Sequence, residues 1–256
     1  MIASVGFSDA GPVRANNEDC LLNDDELSLY VVTDGMGGHA AGEVASRLAI
    51  EAIENFIRRS QEPGDISWPC GIDPELSYAG NRLRTAIHLA NRCVYRAADE
   101  RDDYTGMGTT VVCALASGAN LAIGHVGDSR LYLLSNGTLT VQTRDDTWAA
   151  TVLAGLESDS PQLAVHPMRN VLTNVLGARE QTDIHLSERQ LSSGEMLLLC
   201  SDGVHNVLDD STLCGLMSQD ASLEVIGRSV IAAALERGTR DNVTVIVARY
   251  EETAGG

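Results

Sequence analysis

Lysine is absent. All 18 basic residues of this 256-residue chain are arginine, set against 36 aspartates and glutamates, for a formal net charge of −18. Without lysine there can be no Schiff-base chemistry, no phosphate loop ending in Gly-Lys and no kinase-type phosphate lysine. An acidic chain poor in basic residues has no face for nucleic acid. No run approaches the ~18 apolar residues of a membrane span, so no membrane segment is expected. The six cysteines include no Cys-x-x-Cys pair. Cys113 and Cys200 sit inside apolar runs, as small buried hydrophobes do, which favours a reducing cytoplasm over a zinc site. The start, Met1 to Asp9, has no basic residue and is broken by Ser4, Gly6 and Ser8, so it does not read as a signal peptide.

What is present suffices for a full core: 44% of the residues are hydrophobic, an ordinary globular share. Short apolar runs closed by Gly or Asp predict buried strands at Leu27–Thr33, Thr109–Ala116 and Met196–Ser201. Leu121–Val126, Arg130–Leu134 and the β-branched Asn242–Tyr250 add further strands. Asn136-Gly137 joins Arg130–Leu134 to Thr138–Thr143 as a two-residue hairpin. Helical periodicity runs from Ala41 through Ile57 and from Pro74 through Ala97, with a Pro/Gly-bearing loop between them, Gln61 to Asp73. Two later helices are expected at about Asp210–Leu216 and Leu223–Arg237. No linker or repeat divides this order, so one α+β domain is predicted.

The chemistry concentrates in carboxylates at the points where apolar runs stop. Thr33-Asp34-Gly35 and Ser201-Asp202-Gly203 share one plan, a buried strand, a hydroxyl residue and then Asp-Gly. Asp128 follows Gly127 at another strand end, and Asp241 precedes the last strand. One Asp-Gly after a strand is ordinarily a turn. Several converging carboxylates would repel one another unless a cation sat among them, and hard cations such as Mg²⁺ or Mn²⁺ take such oxygen ligands. Gly35, lacking a side chain, can bring its carbonyl or a ligand close to the metal. Arg14, four residues before Glu18 and five before Asp19, is a permanently charged fork suited to phosphate.

Together these segments resemble the metal-dependent protein phosphatases, the type 2C serine/threonine family, in its compact bacterial form. The matches are Arg14-x-x-Asn-Glu18-Asp19, Asp34-Gly-Met-Gly-Gly-His39 with Gly42-Glu43, Met107-Gly-Thr-Thr110 and Gly127-Asp-Ser-Arg130. They continue through His166-Pro-x-Arg-Asn170, Ser201-Asp202-Gly203 and Arg240-Asp241-Asn242, in the family's order over residues 6 to about 250. The resemblance implies a four-layer α-β-β-α sandwich, two antiparallel sheets flanked by helix pairs, in one catalytic domain over 1–256 with a flap at about 148–168. It implies two or three divalent ions, Mn²⁺ or Mg²⁺. Asp34 would bridge two, with the Gly35 carbonyl on one of them and Asp202 and Asp241 on the other. Glu18 and Asp19 would sit beside them, Asp128 would hold a looser third, and Arg14 would bind phosphate. The activity implied is hydrolysis of phosphoserine and phosphothreonine on proteins by a metal-bridged water, opposing a serine/threonine kinase, in a cytoplasmic monomer.

Two positions depart from the family pattern. Met36 stands where animal members carry a histidine acting as general acid, which leaves His39 as the nearby candidate. Asp146, in Asp145-Asp146-Thr147, stands where relatives usually show histidine, and a looser flap is expected from it. The competing expectations are a catalytically silent phosphoprotein-binding relative and a hydrolase of small phosphorylated metabolites.

Overall fold

The computed structural model describes residues 1–37, 41–61, 67–153 and 166–252. In chain order the elements are β1 (Ile2–Asp9), β2 (Asp19–Asp24), β3 (Leu29–Met36), α1 (Ala41–Arg59), α2 (Tyr78–Glu100), β4 (Gly108–Thr109), β5 (Val111–Ser117), β6 (Asn120–Val126), β7 (Arg130–Ser135), β8 (Thr138–Val141), α3 (Trp148–Leu153), β9 (His185–Gln190), β10 (Met196–Cys200), α4 (Asp202–His205), α5 (Asp210–Met217), α6 (Leu223–Glu236) and β11 (Val243–Tyr250). One sheet runs β1-β11-β10-β7-β8 and the other β2-β3-β5-β6-β9, with β4 paired to β3. Every ladder is antiparallel.

Alternation along the strands builds three apolar layers. On β3, Val31 faces out toward α1 and α2, where it meets Ala45, Ile53, Leu83 and Ile87. Its neighbours Tyr30 and Val32 face the other sheet and pack with Leu131, Leu197, Leu199 and Ile246. On the far side Leu198, Val245 and Val247 cover Leu213, Ile226 and Val230 of α5 and α6. Both faces of the central strands are therefore buried, which explains why their sequences read as continuous apolar runs rather than as alternation. Each fully buried aliphatic side chain contributes about 1.5–3 kcal/mol of transfer free energy. The result is the expected four-layer α-β-β-α sandwich.

The Asn136-Gly137 hairpin is present, with both residues at positive φ (49° and 75°), as a type I′ turn requires. α2 begins at Tyr78 rather than Pro74, because Ser77 caps it by accepting a hydrogen bond from the Gly80 amide at 3.1 Å. β1, β2 and β9 were not predicted. β1 is polar at alternate positions (Ser4, Gly6, Ser8) and is held by its full ladder to β11. A Cβ at Gly6 would lie 2.8 Å from Leu21 Cδ1 and 3.0 Å from Asn23 Oδ1, so these side-chain ends would have to shift. Among the described residues no helix is long and apolar enough to cross a membrane.

Candidate metal and phosphate site

The strand registers bring the acidic residues to one edge of the sandwich. β10 ends at Cys200, opposite Val245 near the start of β11 and Arg130 at the start of β7. Asp202, Asp241 and Asp128, which flank those three strand ends, therefore come out together. In the other sheet Asp19 and Asp34 are register partners on β2 and β3. The two sheets are stitched at this edge: Ser201 Oγ donates to Asp19 Oδ2 (2.7 Å) and accepts from the Thr244 amide (3.1 Å).

Paired carboxylates on adjacent strands repel, and here little charge compensates them. Burial, followed by the nearby Asp202 and Asp241, pushes the Asp19 carboxyl up to about 7 against the hydrogen bond from Ser201. Asp128 is likewise pushed up to about 7 by burial and by Asp202. Asp202 rises to about 6 through burial and Asp241, opposed by a hydrogen bond from Asp34 and by the Arg14 charge. Asp34 is held well above the usual carboxylate range by burial and then by Asp19, Asp202, Asp128 and Asp241. Burial also raises Glu18, while Arg14 pulls it back.

Two carboxylate oxygens, Asp19 Oδ1 and Asp202 Oδ1, are buried without a hydrogen-bond partner. Native folds seldom leave such atoms orphaned, because each costs about 1–3 kcal/mol or more. A divalent cation would satisfy both oxygens and relieve the mutual repulsion, and an all-oxygen donor set matches Mg²⁺ or Mn²⁺. Among the described residues no three His, Cys, Asp or Glu side chains are already gathered in ready ligand geometry. A site that keeps several waters per ion and uses a backbone carbonyl does not require such a cage.

The backbone around Asp34 is fixed from both sides. Its amide donates to Thr110 Oγ1 (3.0 Å), and its carbonyl accepts from the Thr110 amide (2.9 Å) and from Thr109 Oγ1 (2.9 Å). The Gly35 amide donates to Glu18 O (3.1 Å). A Cβ at Gly35 would collide with the Gly42 carbonyl and come within 2.7 Å of Glu18 O, so only glycine fits this close approach.

Arg14 lies on the loop after β1, with Nη2 2.7 Å from Asp241 Oδ2, and its side chain is 49% exposed. That loop is clamped by Asn242. Its Nδ2 donates to Ala10 O (2.8 Å) and Asn16 O (3.0 Å), and its Oδ1 accepts from the Glu18 amide (2.8 Å). Arg14 and Glu18 are thereby set at the same edge as Asp241. The positioning roles of Asn242, Ser201 and Thr110 are not visible in the sequence, although each lies within a matched motif. That of His205 is not visible either: its Nε2 donates to Asp128 O (2.9 Å), while its Nδ1 is buried without a partner.

Asp146 is held by partners on several sides. Its Oδ2 accepts from the Gly127 amide (3.0 Å) and from Asn174 Nδ2 (2.8 Å), and its Oδ1 pairs with His185 Nε2 (2.8 Å). Its amide donates to Gly127 O and its carbonyl accepts from the Thr173 amide. It ties the Asp128 turn to Thr173 and Asn174, because a carboxylate offers acceptors where Gly127, Asn174 and His185 all supply donors. Of the flap, residues 148–153 form α3, and Trp148 stacks on His166 (4.4 Å, 24°). Residues 154–165 and His39 lie outside the described residues.

The family model described as protein phosphatase 2C matches residues 14–224. A serine/threonine protein phosphatase of Mycobacterium tuberculosis, PstP, is 36% identical over 241 residues, covering 94% of this chain and 43% of that protein. The chain thus spans less than half the length of this curated relative. The serine/threonine phosphatase stp of Listeria welshimeri is 30% identical over 94% of this chain and 92% of its own length. Among solved structures, the catalytic domain of PstP in complex with two manganese ions superposes with a TM-score of 0.81, at 35% identity and 97% coverage of both chains.

Proposed function

Because the chain belongs to the protein phosphatase 2C family, we propose that it hydrolyses phosphoserine and phosphothreonine on proteins, as a divalent-metal-dependent enzyme. The observation that carries this reading is the pair of buried, unpartnered oxygens of Asp19 and Asp202 among carboxylates that repel one another. The manganese ions of the mycobacterial relative support the choice of metal.

We assign Asp34, the Gly35 carbonyl, Asp202 and Asp241 as the groups that would hold two divalent ions. Glu18 and Asp19 stand beside them, and Asp128 would hold a third. Cations bound there would activate a water and neutralise the oxygens of the phosphoryl group. The remaining tasks fall to side chains. Asn242 and Thr110 hold the loop and the strand end that carry Arg14 and Asp34. Arg14 presents a two-pronged donor to the non-bridging phosphoryl oxygens, where charge builds in the transition state. Its pairing with Asp241 is solvent-exposed and therefore weak, about 0–1 kcal/mol, so turning toward phosphate costs little. His39 is assigned as the proton donor to the leaving serine or threonine oxygen, since Met36 cannot serve. Residues 1–256 are read as one phosphatase domain with a flap at about 148–168. A serine/threonine kinase as the opposing partner, a cytoplasmic location and a monomeric state complete the proposal.

The test is turnover of p-nitrophenyl phosphate and of a phosphothreonine peptide, with Mn²⁺ and with chelator, by wild type and Asp202→Asn. Turnover of both substrates that requires Mn²⁺ and is lost in the variant is expected. No turnover of either would overturn the phosphatase reading, activity persisting in chelator would overturn the metal dependence, and p-nitrophenyl phosphate alone would point to a small-molecule substrate.

A further inference from the structure

In an extended strand, side chains two residues apart stand on one face about 6.5 Å from each other. Asp34 and Met36 form such a pair on β3, so Met36 emerges beside the acidic centre, 41% exposed. Next to it opens a cavity of about 230 Å³. This is below the ~300–1,000 Å³ of pockets that take a whole small molecule, and it suits a single side chain. Met36, Leu172, Val175 and Ala178 make one side of its wall apolar, Thr173, Asn174 and Thr182 line the rest, and the exposed Arg179 adds a positive charge without an ion-pair partner among the described residues. The charge disfavours a basic occupant.

The space is held open by specific contacts. Gly108 is the register partner of Met36. A Cβ there would lie 2.9 Å from Leu176 O and 3.2 Å from Val175 Cγ2, crowding the same wall. On another side Thr182 Oγ1 donates to Asn174 Oδ1 (2.7 Å), and Asn174 Nδ2 donates to Asp183 O and to Asp146 Oδ2 (both 2.8 Å). Asp146 also holds the Gly127 amide, one residue before Asp128. One carboxylate therefore fixes the cavity wall relative to the acidic centre.

We propose that this cavity is a specificity subsite for the apolar side chain two residues from the phosphorylated serine or threonine of a protein substrate. The inference rests on the phosphatase reading above. An extended peptide advances about 3.3–3.6 Å per residue, and its side chains alternate in direction. With the phosphorylated side chain directed at Asp34, the residue two positions away points the same way and lies about 7 Å along, at Met36. A side chain one position away points in the opposite direction.

The experiment uses the full chain with Mn²⁺, p-nitrophenyl phosphate, and phosphothreonine peptides carrying leucine or glycine at each of the two nearest positions on either side. Leucine two positions away, on one side, is expected to raise kcat/KM about tenfold over glycine, in line with discrimination by apolar pockets. Ala178→Trp fills the cavity from an exposed position. It is expected to abolish that preference and leave p-nitrophenyl phosphate turnover unchanged. Equal rates on leucine and glycine peptides, a preference confined to the adjacent positions, or a preference that survives Ala178→Trp would each overturn the subsite while leaving the phosphatase reading intact. Failure on p-nitrophenyl phosphate and on every phosphopeptide would overturn that reading and the subsite with it.

Discussion

Removing one of the acidic residues should stabilise the metal-free protein, and only in a defined pH range. Asp19 is 8% exposed, shares a register position with Asp34 and has one buried oxygen without a partner. Its carboxyl is pushed up to about 7 in the fold, against about 3.9 in an unfolded chain. Between those values the folded protein keeps a proton that the unfolded chain has released. Stability therefore falls as pH rises, by about 1.36 kcal/mol per pH unit, and levels off above about 7. Asp19→Asn is neutral throughout and retains an acceptor for Ser201. In chelator, the stability of the variant relative to wild type should grow by about 2.7 kcal/mol between pH 5 and pH 8, two units of which lie below the folded value. For a chain of this size 1 kcal/mol corresponds to about 2–4 °C, so the melting temperatures should separate by about 5–11 °C. Differential scanning calorimetry at pH 5, 6, 7 and 8, in EDTA and then in Mn²⁺, measures this directly. Taking the difference between two proteins cancels the titration of buried histidines such as His205. In Mn²⁺ the order should reverse, because the cation then uses the charge that Asn lacks. A difference independent of pH in EDTA, or a variant less stable than wild type at pH 8, would refute the account of the site as a repulsive cluster awaiting cations.

Asn242→Ala removes three hydrogen bonds that hold the Arg14 loop. At about 1 kcal/mol each the expected loss is about 3 kcal/mol, read in urea unfolding, together with a raised KM for phosphopeptide. Arg14→Ala should behave oppositely. Its exposed ion pair contributes little to stability, so the midpoint should hardly move, while kcat/KM drops about 10²-fold, as for the loss of a single charge-stabilising donor. A large stability change with intact catalysis would reassign Arg14 as a structural residue.

The strands legible as continuous apolar runs were those buried on both faces. Leu29–Met36 and Met196–Cys200 are continuous apolar runs because helices cover one side of each sheet and the other sheet covers the second. The carboxylates were legible because each sits where such a run stops. β1 and β9 were hidden, since a strand made of Ile2-Ala-Ser-Val-Gly-Phe-Ser-Asp9 or His185-Leu-Ser-Glu-Arg-Gln190 is specified by its neighbours and not by its own pattern. The partners of Asp146 were also out of reach. A local exchange of histidine for aspartate looks like a loss until Gly127, Asn174 and His185, 19 to 39 residues away, turn out to supply the donors.

The polar interruptions that hid β1 have a protective effect of their own. β1 lies at the margin of its sheet, where unpaired amides invite another chain to add a strand. Here Asp25 accepts from the Ser4 amide (3.2 Å) and from Ser4 Oγ (2.6 Å), occupying one of those donors. Ser8 Oγ is engaged with Thr244 Oγ1 (2.7 Å). Replacing Ser4 and Ser8 by valine would make the segment read as an ordinary strand, and would also give the chain a stickier border, prone to edge-to-edge aggregation.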